Sequence, residues 1–191
     1  MSLPAALHVT SKEEIIIGRP YIEVLYTPTS HIKNTQNLKV GLVWAGNPSH
    51  RNDKFRSISV HSFACLLDLP CDFYSLQVGE SAGDLRSFSS PNSIVDLGEH
   101  IDNFLDTAHF IQNLDLVIGV DTSVIHLAGA MGKPVWLLLS ANSDWRWGLD
   151  QKDTIWYPTM QLFRQRKLGE WDDVLEKVKA ELGETITFYA R

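Results

Sequence analysis

Asp121, Thr122 and Ser123, with His126 three residues further on, are the first groups in this sequence whose types and spacing suit chemistry. The apolar run DLVIGV leads into them, and SVIHLAGAMG, closed by Gly132 and followed by Pro134, leads out. They therefore fall at a turn from a strand into a helix. The first N–H groups of a helix have no partner within it, and the helix dipole places about half a positive charge there. Such a turn suits a phosphate or another oxyanion. It equally suits plain capping, with Asp121 or Thr122 at the helix N-cap. His126 is either a structural hydrogen-bonder or a ligand contact.

A second group lies in the loop NPSHRNDKFRS, which Asn47 opens and which holds His50, Arg51, Lys54 and Arg56. This is the densest cationic cluster in a chain of net charge -6. An arginine fork matches phosphate oxygens, and lysine supplies a point charge. As a loop residue facing an open cleft, Arg56 is expected to make few packing contacts. Neither GxGxxG nor GxxxxGK[ST] occurs, which argues against dinucleotide-binding and P-loop readings. Asp144, Trp145, Arg146 and Trp147 read as a packed aromatic corner or as a cleft wall, with Arg146 stacked on a tryptophan.

The elements that must position these groups follow from hydrophobic periodicity. KVGLVWAG, DFYSLQV, SIVDLG, DLVIGV, VWLLLS and MQLFRQ read as strands. ISVHSFACLLDL has helical spacing, NFLDTAHFIQNL places Phe104, Ala108, Ile111 and Leu114 on one face, and EWDDVLEKVKAEL is an amphipathic helix. Asp106 and Thr107 belong to the start of the second of these. Strands alternating with helices imply one α/β domain, Rossmann-like and three-layered, with a mostly parallel sheet. In such a sheet ligands bind at the carboxyl ends of the strands, where all the polar loops converge. The expected division is an N-terminal extension or linker over residues 1–38, the domain over 39–183 and a tail over 184–191.

Bulk properties narrow the class. The 191 residues, 44% apolar and 21% charged, fit an ordinary globular protein. An acidic chain with pI near 5.6 advertises no nucleic acid or anionic lipid as partner. Cys65 and Cys71 read as reduced thiols and offer no metal spacing. No apolar run is long enough to span a membrane and no signal peptide is recognised, so a cytoplasmic location is expected.

The combination of VGLVWAGNPSHRNDKFRSI, FYSLQVG, FLDTAHFIQNLDLVIGVDTSVIHLAGAMGKPVWLLL, SDWRWG, WYP and LFRQ resembles the C-terminal half of heptosyltransferase-like glycosyltransferases. It is most similar to the branch often fused to tetratricopeptide repeats, over about Leu38 to Leu182. The segment SLPAAL…RPYI resembles that branch's linker. The resemblance implies a GT-B fold, of which this chain is the C-terminal, donor-binding half, and a nucleoside-diphosphate-sugar as substrate with no cofactor and no metal. It further implies that Asp121, Thr122 and Ser123, with His126, hold the donor diphosphate. Arg56 or Lys54 would neutralise the leaving nucleoside diphosphate, and Leu76, Gln77 and Val78 would lie near base and ribose. The catalytic residues stay unassigned. The acceptor domain, or a tetratricopeptide-repeat segment, is expected on the same or another chain. The competing expectation is a nucleotide-diphosphate-binding or interaction module without transfer activity.

Overall fold

In the computed structural model, residues 11, 20–88 and 94–189 are described. The expected linker SLPAAL therefore lies outside the described residues. The chain forms β1 (Leu38–Val43), a single helical turn α1 (Asp53–Arg56), β2 (Cys71–Ser75), β3 (Val95–Asp96) and α2 (Phe104–Gln112). It continues with β4 (Leu116–Val120), α3 (Ser123–Ala130), β5 (Val135–Leu139), β6 (Met160–Arg164) and α4 (Asp172–Tyr189). Stretches of 3-10 helix lie at Val60–Leu66, Glu80–Ser87, Gly98–His100 and Trp145–Trp147. The helical spacing of ISVHSFACLLDL is thus realised as the tighter 3-10 form. Its Ile58, Phe63, Leu66 and Leu67 are buried all the same.

All six strands are parallel, in the order β3-β2-β1-β4-β5-β6. Strands buried on both faces explain the unbroken apolar runs. Side chains alternate across the sheet. Val117, Val135, Leu137 and Leu139 pack with Ile111, Ile125 and Ala128 from α2 and α3. Leu116, Ile118, Val120 and Leu138 pack on the other side with Phe63, Leu66, Val174 and Val178, from the 3-10 segment and α4. The molecule is a three-layer sandwich, as the alternation of elements implies.

Local signals account for the helix starts. Asn103 caps α2, its side chain accepting from Leu105 and Asp106 N–H, while the Asp106 carboxylate accepts from Asn103 N–H at 3.1 Å. This capping box gives Asp106 the helix-stabilising role expected of it. Phe104 departs from expectation: it is 60% exposed, and the buried face of α2 is Thr107, Ala108, Phe110 and Ile111. Position 104 is the first residue of the helix, where the face that meets the sheet has not yet begun. Helix α4 also runs six residues beyond 183, through Tyr189.

The segment before β1 lies across the α2 and α3 side. Tyr21 and Ile22 N–H both donate to the Ala130 carbonyl, Asn113 donates to the Thr27 carbonyl, and Ile32 is buried in the core. At the far edge, β6 receives an antiparallel bridge from Asp153 to Gln161, and Leu162 N–H donates to the Lys152 carbonyl at 2.8 Å.

Candidate functional site

The chain runs from β1 outward to β3 and then returns to place β4 on the other side of β1. A crevice therefore opens at the carboxyl ends of β1 and β4, the place where open α/β sheets bind ligands. Two adjoining cavities occupy it. One, of about 430 Å³, is lined by His50, Arg56, Asp121, Thr122, Ser123 and His126 together with Ser140, Asp144 and Arg146. The other, of about 550 Å³, is lined by Asn47, Arg56, Gln77, Val78, Glu80, Thr122 and Ser123. Arg56, Thr122 and Ser123 belong to both and form the partition.

Arg56 is held in place by the protein. Its Nε donates to Asp53 Oδ1 at 3.0 Å and its Nη1 to the Asp121 carbonyl at 2.8 Å. Asp53, 8% exposed, is itself fixed by the Ser57 hydroxyl at 2.9 Å. The expectation of few contacts fails because α1 turns Arg56 back toward the end of β4, where it meets the Asp121 carbonyl. Gly46 makes room for this: a Cβ there would lie 2.6 Å from Asp53 Oδ1 and collide with Arg56 Nη2. The loop arginine thereby joins the ends of β1 and β4 and presents its charge to both cavities.

The turn after β4 is an open helix start. Thr122 is the N-cap of α3, with extended φ and ψ, yet its side chain makes no cap hydrogen bond. Its Oγ1 is buried and makes no hydrogen bond. Asp121 does not cap either. Its Oδ2 accepts from Trp147 Nε1 at 2.9 Å and its Oδ1 faces His126 Nε2 at 3.3 Å. Burial opposes the charge of Asp121. The hydrogen bonds from His126 and Trp147, helped by Arg146, outweigh it and hold the carboxyl below its ordinary value.

The remaining expected residues fall into two groups. His50 lines the first cavity, and its Nδ1 accepts from Asn52 N–H at 3.3 Å. Asn47 lines the second, its Oδ1 accepting from Ser49 N–H. Gln77 also lines the second, but its amide ties strand ends together: Oε1 accepts from Trp44 and Ala45 N–H, and Nε2 donates to the Ala45 and Val78 carbonyls. Arg51 and Lys54 are exposed and line neither cavity. Lys54 lies over the Phe55 ring, 4.8 Å from its centroid.

Tyr157, which the sequence did not single out, and Trp147, read there as part of an aromatic corner or cleft wall, complete the geometry. Tyr157 Oη lies 2.9 Å from His126 Nδ1, and Trp147, 1% exposed, anchors Asp121. The sequence carried a hint in its concentration of aromatic residues between 136 and 157, with no periodicity to say which turn inward. Arg146 pairs with Asp144 at 3.2 Å, and its carbonyl accepts from Trp156 Nε1, in place of the expected stacking.

Residues 102–167 match the sequence model of Glycosyltransferase family 9 (heptosyltransferase). The family 9 segment runs from the start of α2 past β6, so it contains the Asp121 turn, His126, Trp147 and Tyr157. Protein FlbA of Caulobacter vibrioides is 28% identical over 152 residues, covering 75% of this chain and 25% of that protein. The chain thus spans about a quarter of the length of this relative. Among solved structures, the glycosyl transferase family 9 protein from Veillonella parvula aligns with a TM-score of 0.47 at 10% identity, over 82% of this chain and 40% of its own.

Proposed function

We propose that this domain binds the nucleoside-diphosphate-sugar donor of a metal-independent glycosyltransferase, as the C-terminal half of a GT-B arrangement. One observation carries the reading: the family 9 segment contains an uncapped helix start, and that start faces the fixed guanidinium of Arg56 across a shared cavity wall. Transfer of a sugar builds negative charge on the departing diphosphate. The protein stabilises it through donors aimed in advance, here the N–H groups of Ser123 and Val124 and the Arg56 fork. His50 and Asn47 flank the diphosphate, and the cavity beside Gln77 and Val78 takes the base and ribose. The acceptor domain, whether on the same chain or another, closes over this face. A tetratricopeptide-repeat segment is a further candidate partner.

A second reading, a diphosphate-binding module without transfer by these residues alone, draws support from Asp121. Both of its carboxylate oxygens already have partners, which leaves it poorly placed to act as a base. Isothermal titration with ADP, UDP and GDP tests the shared core of both readings. Binding of at least one nucleotide is expected, and it should persist in EDTA. Binding abolished by the chelator would refute metal independence, and the absence of binding by all three would remove the site.

A further inference from the structure

A chain of hydrogen bonds leads from the segment before β1 to the carboxylate at the turn. Tyr21 Oη donates to Tyr157 Oη at 3.4 Å, Tyr157 Oη lies 2.9 Å from His126 Nδ1, and His126 Nε2 lies 3.3 Å from Asp121 Oδ1. Trp147 Nε1 donates to the other carboxylate oxygen. An ionised carboxylate only accepts, so His126 Nε2 carries the hydrogen that faces it. In the neutral ring Nδ1 then accepts, and Tyr157 must donate to it. One order of donors satisfies every bond: Tyr21 to Tyr157, Tyr157 to His126, His126 to Asp121. The ring also lies against two aromatic rings, tilted at 30° to Trp147 with centroids 5.3 Å apart and edge-on to Tyr157 with centroids 5.7 Å apart.

The arrangement matters because of where Asp121 stands. It immediately precedes the N-cap of a helix whose N-cap side chain leaves the first N–H groups uncapped. A free carboxylate at that point is drawn to those N–H groups by hydrogen bonding and by the helix dipole. There it would occupy the anion position and repel a phosphate. The structure instead turns it sideways, against an indole and an imidazole.

We propose that Tyr157, and Tyr21 through it, are positioning residues for donor binding: they fix His126 in its Nε2–H form and so hold the Asp121 carboxylate away from the N-terminus of α3. This rests on the donor-binding reading above. Two features support it. Burial pushes the Tyr157 phenol well above its ordinary value, so it stays protonated and able to donate. Gly129, one turn beyond His126, lacks the Cβ that would stand 2.6 Å from Tyr157 Cγ.

The test has two arms on the full chain. Nitrogen NMR of the histidine rings without ligand, with His126 assigned through His126→Gln, reads the tautomer directly. Wild type should show His126 protonated at Nε2 and bare at Nδ1, and Tyr157→Phe should move that population toward the Nδ1–H form. A wild-type ring protonated at Nδ1, or ring signals unchanged in Tyr157→Phe, overturns the relay. The second arm titrates ADP, UDP and GDP into wild type, Tyr157→Phe, Asp121→Asn and the double variant. Tyr157→Phe should weaken binding roughly two- to tenfold, the range of one lost hydrogen bond, when Asp121 is present. It should have no effect in the Asp121→Asn background, where the charge to be held off is gone. Equal losses in both backgrounds mean that Tyr157 merely supports the fold, and the proposal fails. If wild type binds none of the three nucleotides, the donor-binding reading falls, while the ring nitrogens still decide the relay by themselves.

Discussion

At the scale of single residues, Arg56 and Asp121 share one junction and should respond differently to mutation. Arg56→Ala removes a charge-assisted contact to a phosphate oxygen, which should weaken diphosphate binding by roughly 1.5 to 3 kcal/mol. It also strips the Asp121 carbonyl and Asp53 of a partner, so a loss of folding stability should accompany it. Arg56→Lys keeps the charge without the fork and should recover part of the affinity. Titration and thermal unfolding of both variants, side by side, check this; full affinity in Arg56→Ala would show that the guanidinium serves the fold alone. Asp121 has its carboxyl held low, so its stabilising effect is complete above its unfolded value near 3.8 and disappears as pH falls through the lower folded value. The stability gap between wild type and Asp121→Asn should therefore be constant at mildly acidic pH and close below about pH 4. Urea unfolding across that range measures it. The polar turn and the cationic loop were legible in the sequence because residue types alone mark them. The tying of Asp121 to Trp147 was not, since they lie 26 positions apart and no local pattern links an aspartate to one indole among six.

At the scale of elements, α3 shows how packing overrides propensity. Glycine inside a helix ordinarily costs up to about 1 kcal/mol relative to alanine, so Gly129→Ala in isolation should stabilise. Here the new methyl group would meet the Tyr157 ring at 2.6 to 2.8 Å. Overpacking of this kind costs about 1 to 3 kcal/mol, and Gly129→Ala should be net destabilising. A lower midpoint in denaturant, with nucleotide binding weakened as Tyr157 shifts, is the expected result. A raised midpoint would mean that the ring yields freely. The strands and the helices around them were readable from apolar runs and their breaks, because a parallel sheet covered on both faces writes itself as continuous hydrophobic stretches. The segment from Val60 to Leu66 adopted 3-10 geometry with the same residues buried, a difference periodicity cannot register over seven residues. Phe104 misled for a similar reason: helical spacing identifies a face but not the residue at which the helix first touches the sheet.

At the scale of the whole molecule, the cavities lie on one rim of one three-layer domain, and the proposed donor-binding role leaves the acceptor to another domain. Holding two reactants in register supplies on the order of 7 to 11 kcal/mol of a barrier. Residues 1–191 by themselves should therefore show no sugar transfer above the buffer rate of donor hydrolysis. A radiolabelled-donor assay checks this, and efficient transfer by the isolated chain would refute the division of labour between two domains. No helix among the described residues is long and apolar enough to cross a membrane. The sheet order was not legible in the sequence, since each apolar strand could neighbour any other, but the direction of the strands was, because helices intervene between them. The two margins of that sheet have a consequence for assembly. β3 contributes only two residues, and β6 is already bridged by the stretch around Asp153. Among the described residues, neither offers a long row of unpaired backbone groups on which a foreign strand could lie. A second polypeptide that joins this one therefore has to meet it through side chains and loops, as one surface fitted to another, and an extended peptide seeking to lengthen the sheet finds little to hold.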